Sequence, residues 1–198
     1  MENLDPDEIY KFNQMAATWW DPNGNFKALH DINSSRLDYI LSRVSKPLTS
    51  ILDVGCGGGI LTESLRAHTE RIVGIDAAPK PLKVAQLHAL DQDLEIDYQL
   101  TTVENLSDDY QNHFDLLTCM ELLEHVTDFH STVQACADLT KPGGHLFFST
   151  INRNPISFFK LIVGAEEILK ILPRGTHEYQ KFIKPSELAT AIRDANLE

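Results

Sequence analysis

The run Ile51-Leu52-Asp53-Val54-Gly55-Cys56-Gly57-Gly58-Gly59 constrains the fold of this chain more than any other stretch. It reads as a buried strand that stops at a glycine-rich turn, with a helical apolar pattern starting at Ile60-Leu61. Glycine tolerates positive φ and has no side chain, so the backbone turns sharply there and a ligand can press against it. The helix that follows presents free N–H groups and a partial positive end. A dinucleotide fingerprint wants glycine where this chain has Ile60. The acid Asp53 just before the loop disfavours a pyrophosphate and suits an ammonium or a sulfonium.

A second strand, Arg71-Ile72-Val73-Gly74-Ile75-Asp76, also ends in an acid. In doubly wound folds an acid about 20 residues past the glycine loop bonds the ribose hydroxyls, and Asp76 lies 21 residues after Gly55. On these features the chain resembles the S-adenosylmethionine-dependent methyltransferases with a Rossmann-like fold. The plainer alternative is a tight strand–helix turn, with Asp76 capping a helix.

Strands are expected at 50–54, 71–76, 95–101, 114–119 and 144–151. Helices are expected over 3–20, over 33–44, and near 60–68, 80–90, 121–126, 131–140, 156–172 and 185–195. Such alternation implies an α/β fold, a mostly parallel twisted sheet with helices on both faces. The expected organisation is a single domain over 1–198, with a helical cap at 1–45 and a cofactor-binding core at 46–155. A lid or membrane-facing insertion is expected at 156–183. The strand hairpin that usually closes such sheets is not expected within 1–198, where the last pattern is a helix ending near Ala195; either the sequence is shortened or the sheet closes differently.

Hydrophobic residues make up 42% and charged residues 23%, as in globular proteins, so a real core is expected. A net charge of −12 argues against an electrostatic grip on nucleic acid. Cys56, Cys119 and Cys136 are too far apart for a metal knuckle, and with no signal peptide they imply a reducing cytoplasm.

The fourth strand runs into Met120-Glu121-Leu122-Leu123-Glu124-His125-Val126. In one helical turn Glu121, Glu124 and His125 stand at i, i+3 and i+4, on one face. Two carboxylates and an imidazole can bind a divalent cation, Mg²⁺ by the oxygen ligands and Zn²⁺ or Mn²⁺ by the imidazole. Such a metal would hold two adjacent catechol oxygens and ease ionisation of the attacking one. His125 acting as a general base without metal is the alternative. The bland reading is acids complementing a helix dipole beside a surface histidine.

Further stretches narrow the resemblance. They are Thr18-Trp19-Trp20-Asp21, Phe26-Lys27-Ala28-Leu29-His30-Asp31-Ile32-Asn33 with Arg36, Phe148-Ser149-Thr150-Ile151-Asn152-Arg153-Asn154, and Gly175-Thr176-His177. With the glycine loop and the glutamate–histidine cluster, they resemble the ubiquinone-biosynthesis O-methyltransferases over the whole chain. The resemblance implies methylation of ring hydroxyls on polyprenyl catechol and demethylubiquinol intermediates. It implies that Arg36, Gly55, Asp76 and Met120 hold the donor, and that Glu121, Glu124 and His125 hold Mg²⁺. By position, Asp53, Gly57, Val103 and Glu104 join the expected cofactor site. His30 and His177 are weaker candidates for the acceptor pocket. Ser34 departs from the proline often found there. Association with other ubiquinone-biosynthesis proteins is a further expected partnership.

Residues 157–172 carry a wide apolar stripe of Phe158, Leu161, Ile162, Ala165, Ile168, Leu169 and Leu172. A polyprenyl acceptor stays in the bilayer, so this helix is expected to lie in the interface, on the inner face of the membrane. A lid or dimer contact is the alternative. Competing functions are another small-molecule or tRNA methyltransferase, a non-catalytic S-adenosylmethionine-binding subunit, and a nicotinamide oxidoreductase. Acidic charge disfavours the tRNA enzyme, and Ile60 and Asp53 disfavour the oxidoreductase.

Overall fold

The computed structural model describes residues 3–44, 47–106, 110–158 and 178–198. Asp5 opens the first helix, α1 (Pro6–Met15): its carboxylate accepts the Asp7 N–H, and Pro6 supplies the fixed φ of a first turn. A 3₁₀ turn at Ala16–Thr18 continues it, shorter than the single helix expected over 3–20. Helix α2 (Lys27–Arg43) begins well ahead of the expected Asn33. Phe26 stacks on Trp19 with ring centroids 3.7 Å apart, which fixes the chain where α2 begins.

Strands β1 (Leu48–Val54), β2 (Thr69–Asp76), β3 (Asp97–Leu100), β4 (Phe114–Met120) and β5 (Thr140–Ser149) form one parallel sheet in the order β3-β2-β1-β4-β5. Their connections are α3 (Ile60–Arg66), α4 (Pro79–Asp91) and α5 (Phe129–Leu139). Alternation along the strands makes two cores. Ile51, Ile72 and Leu116 face α2 and α3 with Ile40, Leu61 and Leu65. Leu52, Val54, Val73, Ile75, Leu117 and Cys119 face the opposite side with Val133, Cys136 and Ala191. Both faces are covered, which is why β1 and β4 read as nearly continuous apolar runs.

Strand β5 starts earlier than expected because Thr140 already pairs with Phe114, across a register shift between Phe114 and Leu116. The helix expected near 121–126 is a 3₁₀ turn, Leu123–His125. Glu121 takes a left-handed φ of 55°, which bars it from a helical turn with Glu124 and His125. Of the helix expected over 156–172, the described residues hold only the short α6 (Pro155–Ser157), and 159–177 lie outside them. Past β5 a parallel bridge, Asn152 to Ile183, brings the chain back before α7 (Pro185–Asp194) packs on α5. All three cysteines are free and buried. Among the described residues no helix is long and apolar enough to cross a membrane.

Candidate active site

The strand order reverses between β1 and β4, and a crevice opens there at the carboxyl ends of the strands. A cavity of about 690 Å³ occupies it. Its floor carries Asp53, Gly55 and Gly57 from β1 and the glycine turn, Asp76 from β2, and Met120 from β4. Val103 and Glu104 line it after β3, Arg36 from α2, and Glu121, Glu124 and His125 after β4. Helix α1 covers it with Glu8, Ile9 and Phe12.

Asp76 accepts the backbone N–H of Gly57 at 2.8 Å and of Ala78 at 2.7 Å, one on each oxygen. Each oxygen keeps a lone pair for a ligand hydroxyl. Burial pushes its pKa up to about 6, and the nearby Asp53 charge adds to the rise. Asp53 is 3% exposed, and its two oxygens accept Thr62 Oγ1 at 2.6 Å and Thr118 Oγ1 at 2.7 Å. Those hydroxyls tie α3 and β4 to β1, so Asp53 gives the cavity negative charge rather than a hydrogen bond. Two neighbouring acids at the floor suit a cationic ligand, since a cation relieves their mutual repulsion. Volume, acids and glycine turn all fit an adenosyl sulfonium donor.

The glycine turn itself is shaped by protein as much as by ligand. A Cβ on Gly58 would lie 2.2 Å from the Trp19 indole. Trp20 Nε1 donates to the Gly58 carbonyl at 2.8 Å, and the Trp20 ring stacks on His88 at 3.5 Å. The double tryptophan therefore clamps the loop from outside.

Arg36 Nη2 lies 3.1 Å from Glu121 Oε1, which also accepts Ser149 Oγ at 2.8 Å. Glu124 is 2% exposed. One of its oxygens accepts Thr150 Oγ1 at 2.7 Å, and the other has no hydrogen-bond partner. Burial pushes its pKa up, His125 opposes, and the Glu121 charge adds to the rise. His125 Nδ1 is 2.8 Å from Glu8 Oε2. The three residues expected to share a metal thus line one cavity with their polar groups turned to different partners. The unpartnered Glu124 oxygen offers one ligand atom, not a set. Among the described residues no group of three His, Cys, Asp or Glu side chains is placed to hold a metal ion.

Val103 is buried against the core, and Glu104 accepts Asn3 Nδ2 at 2.7 Å and Thr132 Oγ1 at 2.9 Å. Asn3 Nδ2 also donates to the Asp128 carbonyl at 2.8 Å, fastening the segment before α1 across the cavity. His30 lies outside this cavity, with Nε2 2.8 Å from the Trp19 carbonyl, because α2 turns it toward Trp20. His177 falls outside the described residues. Sequence reasoning missed Glu8 and Asn3. For Glu8 a signal existed: it stands four residues before Phe12 and eight before Ala16, an acid on an apolar stripe.

A methyltransferase-domain family model matches residues 29–198. The Ubiquinone biosynthesis O-methyltransferase of Hahella chejuensis is 54% identical over 198 residues, covering 100% of this chain and 83% of that one. The protein of the same name from Nitrosospira multiformis is 53% identical over 196 residues, covering 99% and 82%. Among solved structures, the N-methyltransferase NodS from Bradyrhizobium japonicum, in complex with S-adenosyl-L-homocysteine, superposes with a TM-score of 0.62. It is 22% identical and covers 74% of each chain. A S-adenosylmethionine-dependent methyltransferase from Clostridium acetobutylicum gives a TM-score of 0.61 at 21% identity, covering 77% of this chain and 61% of that one. Those two likenesses concern the fold; the identity to the curated relatives carries the family, and the chain belongs to the S-adenosylmethionine-dependent ubiquinone biosynthesis O-methyltransferases.

Proposed function

We propose that the protein methylates a ring hydroxyl of a polyprenyl catechol or quinol, with His125 as general base. One observation supports this above the others: a single cavity runs from Asp76 to His125. In this reading Asp76 accepts from the donor ribose, and Arg36 meets the donor carboxylate as a bidentate fork. Met120 lines the donor's side of the cavity. The donor supplies a methyl group made electrophilic by its sulfonium.

An unperturbed phenol titrates near ~10, so the acceptor oxygen needs a base at neutral pH. His125 takes its proton. The freed oxygen lone pair attacks the methyl carbon in line with the C–S bond, whose electrons remain on sulfur. Helix α1 excludes water and holds the reactants together, the proximity on which such transfers depend.

A Mg²⁺ ion held by Glu121, Glu124 and His125 is the second reading, favoured by the unpartnered Glu124 oxygen. It requires Glu121 to leave Arg36 and His125 to leave Glu8. The acceptor's prenyl tail also motivates peripheral contact with the inner membrane surface, with 156–183 as lid or membrane-facing segment and 1–45 as cap. Unchanged liposome binding of a Phe158→Glu, Phe159→Glu variant would sink the membrane role.

The test of function is methyl transfer from S-adenosylmethionine to a short-prenyl dihydroxybenzoate, read by mass spectrometry with Mg²⁺ and with excess chelator. Product in both conditions supports the base reading. Product only with Mg²⁺ supports the metal, and no product in either overturns the acceptor class.

A further inference from the structure

We propose that His88, held by Glu63 and stacked on Trp20, is a positioning residue for the methyl donor, acting through the glycine turn from outside the cavity. This rests on the reading that the donor lies on that turn beside Asp76. Two neighbouring carbonyls of the turn are fastened by different elements. Trp20 Nε1 donates to the Gly58 carbonyl at 2.8 Å, and the Glu63 N–H donates to the Gly59 carbonyl at 2.9 Å. His88, in the last turn of α4, joins those two fasteners. Its ring stacks on the Trp20 ring with centroids 3.5 Å apart and planes 3° apart. Its Nδ1 lies 2.9 and 2.8 Å from the two oxygens of Glu63. The contacts thus run in a closed circuit from Gly58 through Trp20, His88 and Glu63 back to Gly59. None of those three side chains lines the donor cavity; they border a separate one of about 370 Å³.

A plain strut between α3 and α4 does not need this chemistry. The Glu63 side chain is 8% exposed, and burying a carboxylate is costly unless it is paired. Apolar side chains in place of such a pair often hold a fold as well or better. What the pair adds is direction: a ring gripped at Nδ1 by both carboxylate oxygens presents one plane, and that plane is parallel to the indole. His30 also confines Trp20, edge-on at 5.6 Å, with its own Nε2 2.8 Å from the Trp19 carbonyl. The indole N–H aimed in this way fixes the Gly58 peptide. Gly57, one residue earlier, gives its N–H to Asp76 at 2.8 Å. A shift of the Gly58 peptide therefore moves the N–H that orients the carboxylate meant for the ribose.

The experiment measures the Kd of S-adenosylmethionine by calorimetry, and kcat at saturating donor, in the full chain. The variants are Trp20→Phe, His88→Ala, the two combined, Asp76→Ala and Val133→Ala. Trp20→Phe keeps a ring against His88 and removes the N–H. We expect Trp20→Phe and His88→Ala each to raise the donor Kd about tenfold, with kcat within about twofold. The combined variant should also lose about tenfold rather than about a hundredfold, because both changes remove the same positioning. Val133→Ala loosens the core on the other face of the sheet and should leave the donor Kd unchanged. Coupling between sites is reciprocal, so saturating donor should slow exchange of the Trp20 indole N–H about tenfold in the unaltered protein. An unchanged Kd in His88→Ala, a hundredfold loss in the combined variant, or exchange indifferent to donor overturns the positioning role. An equal loss in Val133→Ala also overturns it and leaves His88 a strut. Asp76→Ala with full donor affinity sinks the donor placement, and this inference with it. Absence of turnover in the unaltered protein counts against the acceptor class, and the binding measurements still decide the role of His88.

Discussion

Arg36 and Glu121, expected from sequence to serve different ligands, hold each other at 3.1 Å. The guanidinium that should meet the donor's carboxylate already faces one. In the proposed reading, donor binding exchanges one carboxylate for another on Arg36. Two substitutions should act in opposite directions. Arg36→Lys loses the planar fork and should weaken donor affinity about tenfold, ~1.4 kcal/mol. Glu121→Gln keeps an oxygen for Ser149 and frees the guanidinium, so donor affinity should hold or rise and turnover should survive. Calorimetric titration with S-adenosylmethionine and a turnover assay check both. Collapse of turnover in Glu121→Gln would instead favour the metal.

Donor affinity should also fall in acid. Asp76 has its pKa raised to about 6 by burial, so below that pH it loses the charge proposed to attract the ribose hydroxyls. The dissociation constant should rise as pH drops through about 6, and Asp76→Asn should remove that step. On folding stability the sign is reversed. A raised pKa favours the folded state in acid, and this contribution is lost as pH climbs from 3.8 to about 6.

Glu8 behaves in the opposite way. Burial opposes its charge, but His125, Lys11 and Lys181 outweigh burial and bring its pKa down to about 2 from 4.5. Its ionised form therefore supports the fold above pH 4.5 and is lost between there and about 2. The difference is worth about 3 kcal/mol at most, by the usual conversion of pKa shift to free energy. Urea denaturation of wild type and Glu8→Gln should show a gap at neutral pH that closes toward pH 2. A constant gap would mean that the carboxylate's charge is not what holds α1.

Gly58→Ala tests the tryptophan clamp. The added carbon would fall 2.2 Å from the Trp19 ring, so the indole must move. We expect a loss of 1–3 kcal/mol, roughly the cost of overpacking, with a red shift in tryptophan emission. Adding Trp19→Leu should cost less than the sum of the two single changes, because the clash is then gone.

The features legible in sequence are those whose cause is local. Ile51, Leu52 and Val54 announce a strand buried on both faces, and the glycine turn followed by Asp76 places a ligand at the strand ends. The double tryptophan marked a specific family, but its partners, the glycine loop and His88, were not readable from spacing. Glu121 shows why the helical expectation failed. Its left-handed φ lets the chain leave β4 toward Ser149, and that tertiary demand outweighs the helical pattern of 121–126. Glu8 was hidden for a different reason: its three partners, Lys11 apart, lie at positions 125 and 181, and no local pattern reports contacts across such distances.

The fastenings of the N-terminal cap have a consequence for biosynthesis. Asn3 reaches Glu104, Asp128 and Thr132; Glu8 reaches His125 and Lys181; Asp5 reaches Lys181. These are among the longest loops the chain closes, and such closures form late. On the ribosome, α1 is made first and every one of its anchors afterwards. The earliest helix translated is thus the last to settle. Until residue 181 has left the exit tunnel, α1 lacks the Lys181 anchor that fastens Asp5 and Glu8 over the cavity.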